Sequence, residues 1–155
     1  EARVYHKQMI KSVIFDFNRT LFDPDKKALV EGALLLLQAL QQQEYKLCLI
    51  SRKTVEERQE DISRLGLDKF FMHIIVAEEK TQEHFSDCLN AMKLQGREVA
   101  VVGDRVRSEI YFGNVLGMRT IWFKVGKFAV EEPQKKEEEP NYVITDLGEV
   151  LGCLK

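Results

Sequence analysis

Only three of the 155 residues are cysteine, three are proline and three are histidine, and each scarcity excludes a class of protein. Cys48, Cys88 and Cys153 stand apart and are odd in number, so they cannot close a disulfide framework; they read as buried apolar thiols of a protein kept in a reducing compartment. His6, His73 and His84 show neither HxxxH spacing nor neighbouring cysteines, which argues against a zinc site. The longest strongly apolar run, Ala33 to Leu37, is far shorter than the roughly 20 residues a membrane helix needs. The opening EARVYHKQ is too polar for a signal peptide, so residues 1–8 are expected to be a natural extension or an expression remnant and the protein cytoplasmic. Neither charge sign dominates: 23 basic against 25 acidic residues leave a net charge of -2, and no global field points to nucleic acid or an anionic membrane.

What remains is an ordinary globular composition, 45% hydrophobic and 31% charged, at the size of one domain, expected over residues 9–155. The continuous apolar run Val13-Ile14-Phe15 suits a strand buried on both faces, as in a parallel sheet. Further strands are predicted at Lys46 to Ile50, His73 to Ala77, Glu98 to Val102 and Arg119 to Phe123. Between them lie helical patterns: Leu29 to about Gln43, a helix opened by a capping box at Thr54-Val55-Glu56-Glu57 with Val55, Ile62 and Leu65 inward, one with Phe85, Cys88, Leu89 and Met92 on one side, and one from Val106 to Leu116. Gly113 and Gly117, one turn apart, would let that last helix approach the sheet closely, or Gly117 would simply cap it. Gly126 to Asn141, with its QKKEEE run, reads as a solvated loop, Tyr142 to Ile144 as a brief extended piece and Asp146 to Leu154 as a short helix. This alternation predicts a three-layer α/β/α, Rossmann-like doubly wound fold around a mostly parallel five-stranded sheet, with no room for a cap domain.

In that fold Asp16, Ser51, Lys80 and Asp104 each follow a strand and fall on one edge of the sheet, where open parallel sheets place their ligands. Singly, an Asp there is often an N-cap, a Ser a turn residue and a Lys a solvated side chain; four at matching ends point to a shared site. Two acids from different strands form an oxygen-rich place for a hard divalent cation, Mg2+ above all, and a lysine and hydroxyl beside them complement a phosphoryl group. An aspartate can also be the nucleophile.

The stretches VIFDFNRTLFD, LCLIS, EEKTQEHF and VVGDRVRSEIYFGNVLGMRTIWF resemble motifs I to IV of the haloacid dehalogenase superfamily, in order and at suitable spacing, and the closing PNYVITDLGEVL resembles the usual end of that domain. The likeness covers about Ile10 to Leu151 and is closest to the phosphatase-like branch. It implies that Asp16 is the nucleophile and a metal ligand, that the backbone carbonyl of Asn18 and the side chain of Asp104 also hold Mg2+, and that Glu109 assists as a second acid. Thr20 matches the threonine of the first motif. Ser51 would bind phosphoryl oxygens and Lys80 would neutralise their charge.

Two departures shape the expected activity. Asn18 stands where the phosphatases of this superfamily carry the Asp that protonates the leaving oxygen and then activates water, and an amide does neither. Arg19 replaces a small residue and joins Arg52, Lys53, Arg105 and Arg107 in a basic rim, which suggests a ligand with more than one phosphate or carboxylate, or else side chains that simply face water. The expectation is a Mg-dependent phosphohydrolase, slow or specialised, acting on a phosphorylated small molecule or macromolecule. The alternative is an impaired relative that binds metal and phosphate without turnover; haloacid dehalogenation, which needs no leaving-group proton, is a third reading. An open, capless mouth leaves room for a second copy or a protein partner.

Overall fold

The computed structural model of the chain describes residues 9–53 and 55–155, the side chains of 55–57 excepted. The predicted extension 1–8, the Thr54 to Glu57 capping box and the inward face of Val55 lie outside the described residues. Strand β1 (Ser12–Asp16) is followed by a small antiparallel hairpin of β2 (Phe22–Asp23) and β3 (Ala28–Leu29), then helix α1 (Ala33–Gln42) and β4 (Lys46–Arg52). Helix α2 (Val55–Arg64), β5 (His73–Ala77), α3 (Gln82–Met92) and β6 (Val99–Gly103) come next. A wide turn of π-helix over Val106–Ile110 runs into α4 (Tyr111–Val115), and β7 (Arg119–Phe123), β8 (Tyr142–Ile144) and α5 (Val150–Cys153) complete the order.

The sheet has six strands, all paired in parallel, in the order β5-β4-β1-β6-β7-β8. The expected count of five is therefore corrected: Tyr142 to Ile144 adds a sixth strand, in register with Ile121 to Phe123. Three residues following a charged loop carry little local strand signal, and the pairing is supplied by the exposed edge of β7. The helix predicted from Leu29 begins at Ala33 instead. Asp23 Oδ1 accepts from the backbone N–H groups of Asp25 (2.9 Å) and Lys26 (3.2 Å), a turn that folds Ala28–Leu29 back onto Phe22–Asp23 before Gly32, at φ 85°, redirects the chain.

Alternate residues of the strands feed two cores. Val13, Phe15, Leu47, Leu49 and Val102 meet Leu36, Leu37 and Leu40 of α1, Ile62 of α2 and Val150 of α5 on one face. Ile14, Cys48, Ile50 and Val101 meet Phe85, Cys88 and Met92 of α3 on the other. All three cysteines are buried free thiols. A β-carbon on Gly113 would lie 2.5 Å from Val101 Cγ1, so its glycine is what lets α4 settle on the sheet, whereas Gly117, at φ 77° with open space around it, is a helix cap. Among the described residues no helix is long and apolar enough to cross a membrane.

The topology positions the chemistry. From β1 the chain moves outward through β4 and β5, then returns to place β6 on the other flank of β1. The switch point lies between β1 and β6, where loops at the carboxyl ends diverge and leave a crevice.

Candidate active site

Asp16 ends β1 and Asp104 follows β6, so the two acids stand on either side of that crevice. Glu109 arrives from the π-helical turn, in which the Ile110 N–H reaches back to the Arg105 carbonyl (3.4 Å). The widened turn points Glu109 inward, as single π turns at functional sites often do. Two features brace it: the Trp122 indole N–H donates to the Asp104 carbonyl (2.9 Å), and Gly103 has no side chain to obstruct Glu109.

Ligand oxygens of Asp16, Asp104 and Glu109 all lie within 4.8 Å of one another, and all three residues are buried. Lys80 Nζ donates to Asp16 Oδ1 and to Glu109 Oε2, the latter at 3.3 Å. The Thr20 hydroxyl donates to Asp16 Oδ2 at 3.1 Å. Among the described residues, Asp104 Oδ2 and Glu109 Oε1 are buried without a hydrogen-bond partner. Burial first, and then the negative charges of Asp16 and Glu109, push the Asp104 carboxyl up to about 9. Glu109 is raised by burial and by Asp16. Burial alone would lower Lys80, but Asp16 and Glu109 outweigh it and raise the ammonium's pKa. Three buried carboxylates facing one ammonium are short of positive charge, and the orphaned oxygens are where a hard cation would supply it.

Above this floor opens a cavity of about 440 Å³. Asn18 and the cations Arg19, Arg52, Arg105 and Arg107 line it, while Lys53 borders an adjoining cavity of about 790 Å³ shared with Asn18 and Arg52. Arg19 holds a left-handed backbone (φ 63°) with its N–H on the Phe22 carbonyl (2.7 Å), the tight bend that turns motif I out of the sheet. Ser51 is fully buried near the tip of β4, its hydroxyl without a partner among the described residues, and is not one of the residues that line the cavity. Arg52 lends its Nε to the Glu78 carbonyl (3.0 Å) while still reaching the cavity.

Sequence reasoning missed the loop after β7, read as merely solvated. Lys127 and Phe128 line the cavity, and Arg105 stacks 4.1 Å from the Phe128 ring centre. Glu131 pairs with Arg105 (3.4 Å) and Arg107 (3.9 Å). The available signal was one aromatic residue, Phe128, in an otherwise charged stretch.

The description haloacid dehalogenase-like hydrolase belongs to the family model that matches residues 2–123. The chain belongs to this family. Among curated relatives, a Pyrococcus furiosus protein named glyceraldehyde 3-phosphate phosphatase is 32% identical over 97% of this chain and 64% of its own length. The protein of the same name from Pyrococcus abyssi is also 32% identical, over 79% of this chain and 53% of its own. The chain thus spans about half to two-thirds of the length of these relatives. Solved structures share the fold at lower identity: the HAD-hydrolase YfnB of Bacillus subtilis, bound to magnesium, superposes with a TM-score of 0.80 at 16% identity over 95% of this chain and 99% of that one. A chain from Listeria monocytogenes gives 0.78 at 20% identity, over 94% and 97%.

Proposed function

We propose that this haloacid dehalogenase-like chain is a Mg2+-dependent phosphohydrolase that works through an aspartyl-phosphate on Asp16. The observation that carries the reading is the buried triad Asp16, Asp104 and Glu109, with Lys80 bonded to the first and last and two carboxylate oxygens unpartnered. Mg2+ held by Asp16 and Asp104, with Glu109 and the Asn18 carbonyl assisting, would supply positive charge for the phosphoryl oxygens.

The chain's own residues then divide the work. Thr20 and Lys80 fix one Asp16 oxygen each, which orients the carboxylate for in-line attack on phosphorus. Lys80 also offsets the charge that gathers on the transferred group, and the unpartnered Ser51 hydroxyl is free to donate to it after a small shift of the wall. Asn18 lines the cavity but has no proton to give. The leaving oxygen must therefore depart unprotonated or take its proton from water, so phosphoesters with good leaving groups turn over first. The same amide cannot activate water, which slows hydrolysis of the phospho-Asp16 formed.

Because relatives bear the name glyceraldehyde 3-phosphate phosphatase, small phosphorylated metabolites are the first substrates to try. Release of inorganic phosphate from a panel of aryl, acyl and alkyl phosphates, with Mg2+ and with EDTA, tests the proposal. Mg2+-dependent release lost in Asp16→Asn is expected; no release from any member by wild type or Asn18→Asp protein overturns it.

A further inference from the structure

The mouth of the cavity holds more positive charge than one phosphoryl group needs. On the floor, three carboxylates face Lys80 and, on the reading above, one divalent cation, which leaves it neutral. The mouth is lined by the cations Arg19, Arg52, Arg105, Arg107 and Lys127, against the acids Glu79 on the rim and Glu131 behind Arg105. A phosphoryl dianion satisfies two of the three surplus charges and leaves one for something else.

Geometry says where that charge sits. The Phe128 ring has Arg105 at 4.1 Å, Lys127 at 5.4 Å and Arg19 at 5.8 Å from its centre. An aromatic face attracts cations through its quadrupole but does not neutralise them, so the ring gathers three positive groups whose charge stays available. Arg105 Nε is buried and has no partner among the described residues. The Glu131 carboxylate already lies against Arg105 and Arg107, at loose distances of 3.4 and 3.9 Å, and shows the kind of group this guanidinium pair accepts. In-line displacement by Asp16, which lies on the floor, sends the leaving group outward toward this ring.

Resting on the proposed phosphohydrolase reading, we propose that Arg19, Arg105 and Lys127 around Phe128 form a subsite for a carboxylate on the leaving-group side. The site then prefers phosphorylated carboxylic acids to phosphorylated alcohols or aldehydes of the same length. The loop from Gly126 to Glu131, which brings Lys127 and Phe128, does the selecting together with Arg19 and Arg105, in a chain whose described residues hold no inserted cap.

The test compares 3-phosphoglycerate with glycerol 3-phosphate, which differ at the far end by a carboxylate in place of a hydroxymethyl group. Wild-type kcat/KM and, in the Asp16→Asn protein with Mg2+, calorimetric Kd are both measured. A preference of at least about tenfold for 3-phosphoglycerate is expected, carried in KM more than in kcat. Substituting Arg19, Arg105 and Lys127 by Gln together should shrink that ratio toward one, with the larger loss on 3-phosphoglycerate. Glu131→Gln, which removes the competing carboxylate, should raise the ratio; a lower or unchanged one counts against the subsite. Equal handling of the two ligands by wild type overturns the subsite and leaves the phosphohydrolase reading standing. Failure of both ligands to bind or react overturns the subsite as well, while the phosphohydrolase reading stands or falls separately on phosphate release from the wider panel.

Discussion

Gly103 and Glu109 are packed so closely that a β-carbon on the glycine would fall 2.4 Å from Glu109 Cγ and 2.6 Å from its Oε1. The end of β6 is thus shaped around the acid that the π-helical turn delivers. Gly103→Ala should push Glu109 off the triad, lowering Mg2+ affinity by about 10- to 100-fold and stability by about 1–3 kcal/mol. Titrating Mg2+ against melting temperature measures both. Gly152→Ala, at a position with nothing within 4 Å, serves as the control that leaves Mg2+ affinity unchanged.

The triad also sets how metal-free stability depends on pH. Asp104, raised to about 9, and Glu109, also raised, keep protons in the folded state that the unfolded chain gives up near pH 4. The folded state binds more protons, so stability falls as pH rises through that window: it is complete below about pH 4 and lost toward pH 9. Lys80 is raised too, so its contribution is present throughout this window and declines only above the ordinary lysine range. In EDTA the melting temperature should fall by roughly 5 °C or more between pH 5 and pH 8.5, and saturating Mg2+ should flatten the slope. A metal-free melting temperature that climbs with pH would contradict the arrangement.

Much of this site was legible in the sequence because parallel strands announce themselves as apolar runs and the residue just past each run must lie on one edge. Asp16, Lys80 and Asp104 were reachable that way, and the resemblance to known motifs added Thr20 and Glu109. The loop carrying Lys127, Phe128 and Glu131 was not. Its residues are polar and locally unpatterned, and only the path of the chain after β7 brings Phe128 over Arg105. The sixth strand failed for the same reason: Tyr142 to Ile144 is extended because β7 offers an edge, not because three residues prefer it. Leu29 fitted the helical period, but the Asp23 turn and Gly32 took it into a hairpin.

On the proposed mechanism, Asn18 would set the rate. Asn18→Asp should restore a general acid/base on the cavity wall and raise turnover of alkyl phosphates by about 10²- to 10⁴-fold. The gain should be smaller for aryl and acyl phosphates, whose leaving groups need no proton. Rates measured across leaving groups of graded pKa should therefore fall steeply in wild type and more shallowly in the variant. Parallel slopes would show that Asn18 does not occupy the proton-transfer position.

An intermediate on Asp16 that forms but hydrolyses slowly is the most specific consequence of the proposed mechanism, with Asp16 as nucleophile and an amide at position 18. Intact-protein and peptide mass spectrometry after incubation with Mg2+ and acetyl phosphate reads it directly. The expected result is one phosphoryl group on Asp16, absent in EDTA and in Asp16→Asn, and shorter-lived in Asn18→Asp. Phosphate release by wild type that persists undiminished in Asp16→Asn, with no covalent species at any time, would contradict an aspartyl-phosphate mechanism outright.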